Sequence, residues 1–163
     1  MDPADGRAAQ IGGSFNATRS SHAASLRALH VAEYALSAPA PRRERTWLHR
    51  LTIAVDALAD AIDRQIADND NSLGLLGEIA LSEPEHIDAI FHLRNEQRAL
   101  RVATASLREQ LDERPELPIE IAGISERFTA LAHQFRQHHA REAELIHATL
   151  GIDITQPPQQ RLG

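Results

Sequence analysis

Between Leu48 and Ile66 the apolar residues Leu48, Leu51, Val55, Leu58, Ile62 and Ile66 step by three and four without a break. Only an α-helix places such a series on one face, so the spacing predicts one long helix over about 43–69 whose stripe has to be covered by other helices. Partners of the same kind flank it. Leu26, Leu29 and Leu36 mark a helix over 19–38 that stops at Pro39 and Pro41. Ile90, Leu93, Leu100, Leu107 and Leu111 carry another to about 113, and Ser82-Glu83-Pro84-Glu85 has the capping-box spacing and first-turn proline of its start. After Pro115 and Pro118, Ile121, Ile124, Phe128, Leu131 and Phe135 launch a last helix that ends at Gly151, a residue suited to the left-handed position past a C-terminus. Leu73 to Ala80 reads as a short connecting helix between the second and third long helices.

Composition agrees with this pattern. Aromatic residues make up 4% of the chain, while the 42% apolar content suffices for one core in 163 residues. The expected fold is all-α, an up-down-up-down four-helix bundle over 19–151, with a flexible arm at 1–18 and a flexible tail at 152–163. Seventeen basic against twenty-three acidic residues give a formal charge of −6, which offers no cationic field for nucleic acid. No cysteine is present, so disulfides, thiolate metal sites and thiol catalysis are excluded. No apolar run approaches the roughly 18 residues of a membrane span, and the polar N-terminus lacks a signal-peptide core; the expected compartment is the cytoplasm.

The faces of these helices raise the question of function. In the last helix His138, His139 and Glu142 project onto the apolar stripe, whereas His133, Glu144 and His147 project to water. His22 and Glu33 fall in line with the leucines of the first helix, Gln65 and Asn69 lie on or beside the stripe of the second, and Glu96 and Gln97 flank that of the third. In an up-down-up-down topology these positions gather toward one end of the bundle. Polar groups placed there must satisfy one another or a ligand, because an unpaired buried group costs a few kcal/mol. Glu144–His147 and Glu83–His86 both spell E-x-x-H, but the first faces water and the second straddles a proline. Arg42, Arg43, Arg45 and Arg50 read as a solvated face, and no phosphate loop, catalytic carboxylate pair or Ser-His-Asp set is present.

The segments RTWLHRL, DALADAIDRQIADND, SLGLLGEIALSEPEHIDAIFHLRNEQRALRVATASLREQL and FRQHHAREAELIHATLGIDI resemble the bacterial hemerythrin-like (HHE cation-binding) group from about Glu33 to Ile154. The resemblance implies a four-helix bundle that holds a non-haem di-iron centre with histidines and bridging carboxylates from all four helices. It places the fourth-helix histidine on His139, with Glu142 or Glu144 as its following carboxylate. Two other family histidines fall on Gln65, ahead of Asp68 or Asn69, and on Gln97, which follows Glu96. Two readings therefore stand. One is a reduced cation site for iron or another divalent transition metal, built on His138, His139 and Glu142 with His22 or Glu96. The other is a metal-free bundle serving as a structural or protein-interaction module, with a protein partner or a second copy of the chain as its target. An oxygen-activating di-iron enzyme retains too few ligands.

Overall fold

The computed structural model describes residues 3–38 and 42–156, and these contain helices and no strand. α1 runs Pro3–Ser37, α2 Glu44–Asp70, α3 Leu75–Ser82, α4 Ile87–Asp112 and α5 Pro118–Leu150, with a single 3-10 turn at Pro84–His86 before α4. The four long helices pack in chain order, α1 on α2, α2 on α4 and α4 on α5, and α3 bridges one end. No helix among the described residues is long and apolar enough to cross a membrane.

Each boundary has a local cause. α5 opens with Pro118 in its first turn, where the missing N–H costs nothing, and Glu120 Oε2 accepts the backbone N–H groups of Glu116 and Leu117. It closes at Gly151, whose φ of 65° is the left-handed conformation that glycine adopts without strain, with its N–H donated to the His147 carbonyl. α4 does not start at the expected capping box. The Ser82 hydroxyl turns back to the Glu78 carbonyl and closes α3, so the chain passes through the 3-10 turn and begins α4 at Ile87.

The expected arm at 1–18 is corrected: α1 begins at Pro3, not near residue 19. Tertiary contacts support a segment whose glycines disfavour helix by themselves. Phe15 packs against an apolar cluster to which Leu75, Ile90 and Ile146 belong, with the Arg19 guanidinium 4.4 Å above its ring, and Ser14 Oγ donates to the Leu73 carbonyl. The expected tail is corrected in part, since Ile154 is buried in the same apolar cluster. Residues 1–2, the break at Pro39 and Pro41, and the tail from 157 onward lie outside the described residues.

The core has two parts. A larger cluster joins Leu29, Trp47, Leu51, Val55, Leu58, Ile62, Leu100, Leu107, Ile124, Phe128, Leu131 and Phe135. A smaller one joins Leu75, Leu76, Ile79, Ile90, Leu93, Ile146 and Ile154. Gly77 of α3 lies where a Cβ would collide with the Ser72 carbonyl. Alanine is ordinarily better than glycine in a helix by about 1 kcal/mol. Here the backbone of the preceding turn cannot yield cheaply, so Gly77→Ala is expected to lower the melting temperature; an unchanged or raised value would show that this close approach does not hold α3 in place.

Candidate functional site

The two apolar clusters are separated by a layer of polar side chains drawn from all four long helices. His22 and Ser25 come from α1, Gln65 and Asn69 from α2, Gln97 from α4, and His138, His139 and Glu142 from α5; all are buried. Glu96 of α4 borders the layer and is half-buried. Of the residues expected to converge, His22, Gln65, Asn69, Glu96, His138, His139 and Glu142 are joined by contacts and Gln97 is buried on α4, while His49, His133, Glu144 and His147 face solvent. Helical periodicity accounts for it: on α5 the step from Phe135 to His138, His139 and Glu142, and on to Ile146, keeps one face inward through the layer and out into the second cluster.

Glu142, fully buried, is the hub. Its Oε2 accepts the Gln65 amide at 3.1 Å and, more weakly, the Asn69 amide at 3.5 Å. The same oxygen lies 3.2 Å from His138 Nε2, within ion-pair range although not aligned for a hydrogen bond. The other nitrogen of His138, Nδ1, meets Glu96 Oε2 at 3.0 Å, and Glu96 is held on its outer side by Arg141. His138 thus bridges a buried carboxylate and one at the surface. Burial opposes its charged form, but the contacts with Glu142 and Glu96 outweigh that cost and raise its pKa above the usual histidine value.

The second histidine behaves oppositely. Burial, with smaller contributions from His22 and His138, lowers the pKa of His139 to about 2, so the ring is neutral. Its Nε2 lies 3.1 Å from Gln65 Oε1, which also accepts the Ser25 hydroxyl at 3.0 Å. A carbonyl oxygen cannot donate, so this contact assigns the proton of the neutral ring to Nε2. The ring is stacked on Phe135 at 4.1 Å and faces His22 at 4.1 Å. Burial also lowers the pKa of His22, against the pull of Glu142. Ser25 escaped the sequence reading, although it follows His22 by three residues and precedes Leu29 by four, the spacing of one inward face.

A di-iron centre does not fit these residues. Glu142 Oε2 is already occupied by amide donors, and the side chains of Gln65, Asn69 and Gln97 are neutral carboxamides, which are poorer iron ligands than imidazole or carboxylate. Nor do His22, Glu96, His138, His139 and Glu142 aim three ligand atoms at one point. Among the described residues, only Glu83, Glu85 and His86 bring three such atoms within 4.8 Å of one another, on a partly exposed turn. Several atoms of the layer nevertheless lack a partner: His22 Nδ1, Gln97 Nε2, His139 Nδ1 and Glu142 Oε1. Comparison of the chain with protein families, with curated proteins and with solved structures finds no match.

Proposed function

We propose that this chain is a hemerythrin-like bundle in which the pocket for a di-iron centre has become a hydrogen-bonded polar layer, leaving a metal-free structural or protein-interaction module. The observation that carries the reading is the pair of amide donors on Glu142 Oε2. A metal-bound carboxylate gives its lone pairs to the cation; here N–H groups take them from Gln65, where the family resemblance puts a histidine, and from Asn69, which with Asp68 is one of two positions it offers for the acidic residue. On the outer face of α4, Ile87 and Phe91 are exposed one turn apart, followed along the same face by the exposed Arg98. Protein expressed in iron-supplemented medium is expected to contain far less than one iron per chain and to lack an oxo-bridge absorption band. Two irons per chain with that band would overturn the reading.

A second reading, a reduced site for one divalent cation, is favoured by the unpartnered Glu142 Oε1 and by the free Nδ1 atoms of His22 and His139. Gln97→His separates the two readings, because it returns an imidazole to the layer. Titration with Co(II) is expected to raise the melting temperature of the variant and leave the parent unchanged. A parent that responds as strongly as the variant would establish the cation site instead.

A further inference from the structure

We infer that the polar layer communicates with solvent through the seam between α1 and α5, and that the ion pair between Glu33 and Arg136 is the latch that keeps this seam shut. The inference holds whether or not the layer takes up a metal. Among the four long helices, α1 and α5 are the adjacent pair with the sparsest close backbone packing. Across this seam His22 of α1 faces His139 of α5 at 4.1 Å, and Phe135, on the same helix as His139, stacks on the His139 ring at 4.1 Å. Ser25 Oγ, 3.3 Å from His139 Nε2, adds a polar contact across the same seam.

Two considerations make this the interface that opens most readily. Leucine-lined interfaces lose hydrophobic stabilisation when water enters, whereas imidazole and hydroxyl groups hydrate well. In addition, His22 Nδ1 and His139 Nδ1 have no partner in the closed state and would gain hydrogen bonds to water in the open one, which lowers the cost of opening. What opposes opening is at the rim. Arg136 grips Glu33 with both guanidinium nitrogens, each 2.6 Å from a carboxylate oxygen, and nearer the α5 terminus Arg19 donates to the Asp153 carbonyl at 3.1 Å. Glu33 and Arg136 are themselves part-exposed, so the latch can be cut without disturbing the core.

Carbethoxylation of histidines by diethyl pyrocarbonate, read residue by residue by tandem mass spectrometry, measures this opening in the full chain. The exposed His49 serves as the standard for reagent activity. Glu33→Gln is expected to accelerate modification of His22 and His139 by about two- to fivefold, the factor that an ion pair of this exposure is worth. Asp56→Asn is the control: it cuts the Arg108–Asp56 pair between α4 and α2, similarly exposed but away from the seam, and should leave both rates unchanged. Because the chain has no cysteine, a Glu33→Cys, Arg136→Cys double variant can be joined by a bifunctional maleimide, which should suppress modification of both histidines. The proposal is overturned if the crosslink leaves these rates unaltered. It is equally overturned if Asp56→Asn accelerates them as much as Glu33→Gln, since the histidines would then be reached by global unfolding.

Discussion

Replacing Glu142 by glutamine is expected to cost about 3–5 kcal/mol of folding stability at about pH 5.5, and only about 1–3 kcal/mol at about pH 8. At the lower pH the charged His138 loses its buried counter-ion, and at the higher pH the loss is confined to hydrogen bonds from Gln65 and Asn69. The sign follows from linkage. The folded-state pKa of His138 is raised, so its contribution is fully present below the unfolded histidine value and fades as pH climbs through the folded one. His22 and His139 act in the other direction, since burial lowers their pKa values and the unfolded chain takes up their protons first on acidification. That acid sensitivity is common to parent and variant for His139, whereas His22 also loses the favourable field of Glu142, which deepens the low-pH loss. Urea denaturation of both proteins at the two pH values gives the comparison. A loss that is equal at both, or greater at about pH 8, would mean that His138 and Glu142 are not a charged pair.

Phe135→Ala is expected to destabilise the fold by about 3–5 kcal/mol, a substantial fraction of what a single domain has in hand. Phe135 is fully buried, belongs to the larger apolar cluster, and carries the His139 ring on its face. Truncation therefore opens a cavity at the boundary between apolar and polar packing and removes the support that orients His139. Phe91→Ala provides the contrast, because Phe91 is 59% exposed on α4 and its loss should stay within about 0.5 kcal/mol. Similar denaturation midpoints for the two variants would show that the ring is not a packing element.

Much of this architecture is legible from residue spacing. The steps of Leu48 to Ile66 and of Ile90 to Leu111 give α2 and α4 nearly to their ends, and Pro118 and Gly151 bound α5 because their backbone chemistry permits little else. The same arithmetic sends His22, Gln65, Gln97, His138, His139 and Glu142 inward. The first half of α1 was not legible, since Gly6, Gly12 and Gly13 argue against helix and contacts made by Ser14, Phe15 and Arg19 with distant residues support it. Ile11, Phe15, Thr18 and His22, spaced by four, three and four, were the signal that it continues. Periodicity also fixes which face a side chain occupies but not its rotamers. It therefore could not show that the Gln65 amide reaches Glu142, or that His138 divides its two nitrogens between Glu96 and Glu142.

The position of the polar layer between two apolar clusters has a consequence for how the helices find their alignment. Leucine stripes alone tolerate a slide of one turn, because one leucine can take the place of the next. Here a one-turn slide of α5 would push an imidazole or the Glu142 carboxylate into one apolar cluster and drop Phe135 or Ile146 among unsatisfied amides. Each misplaced group costs the desolvation of an unpaired polar atom, so the layer works as an alignment mark that a uniformly apolar core of the same volume would lack.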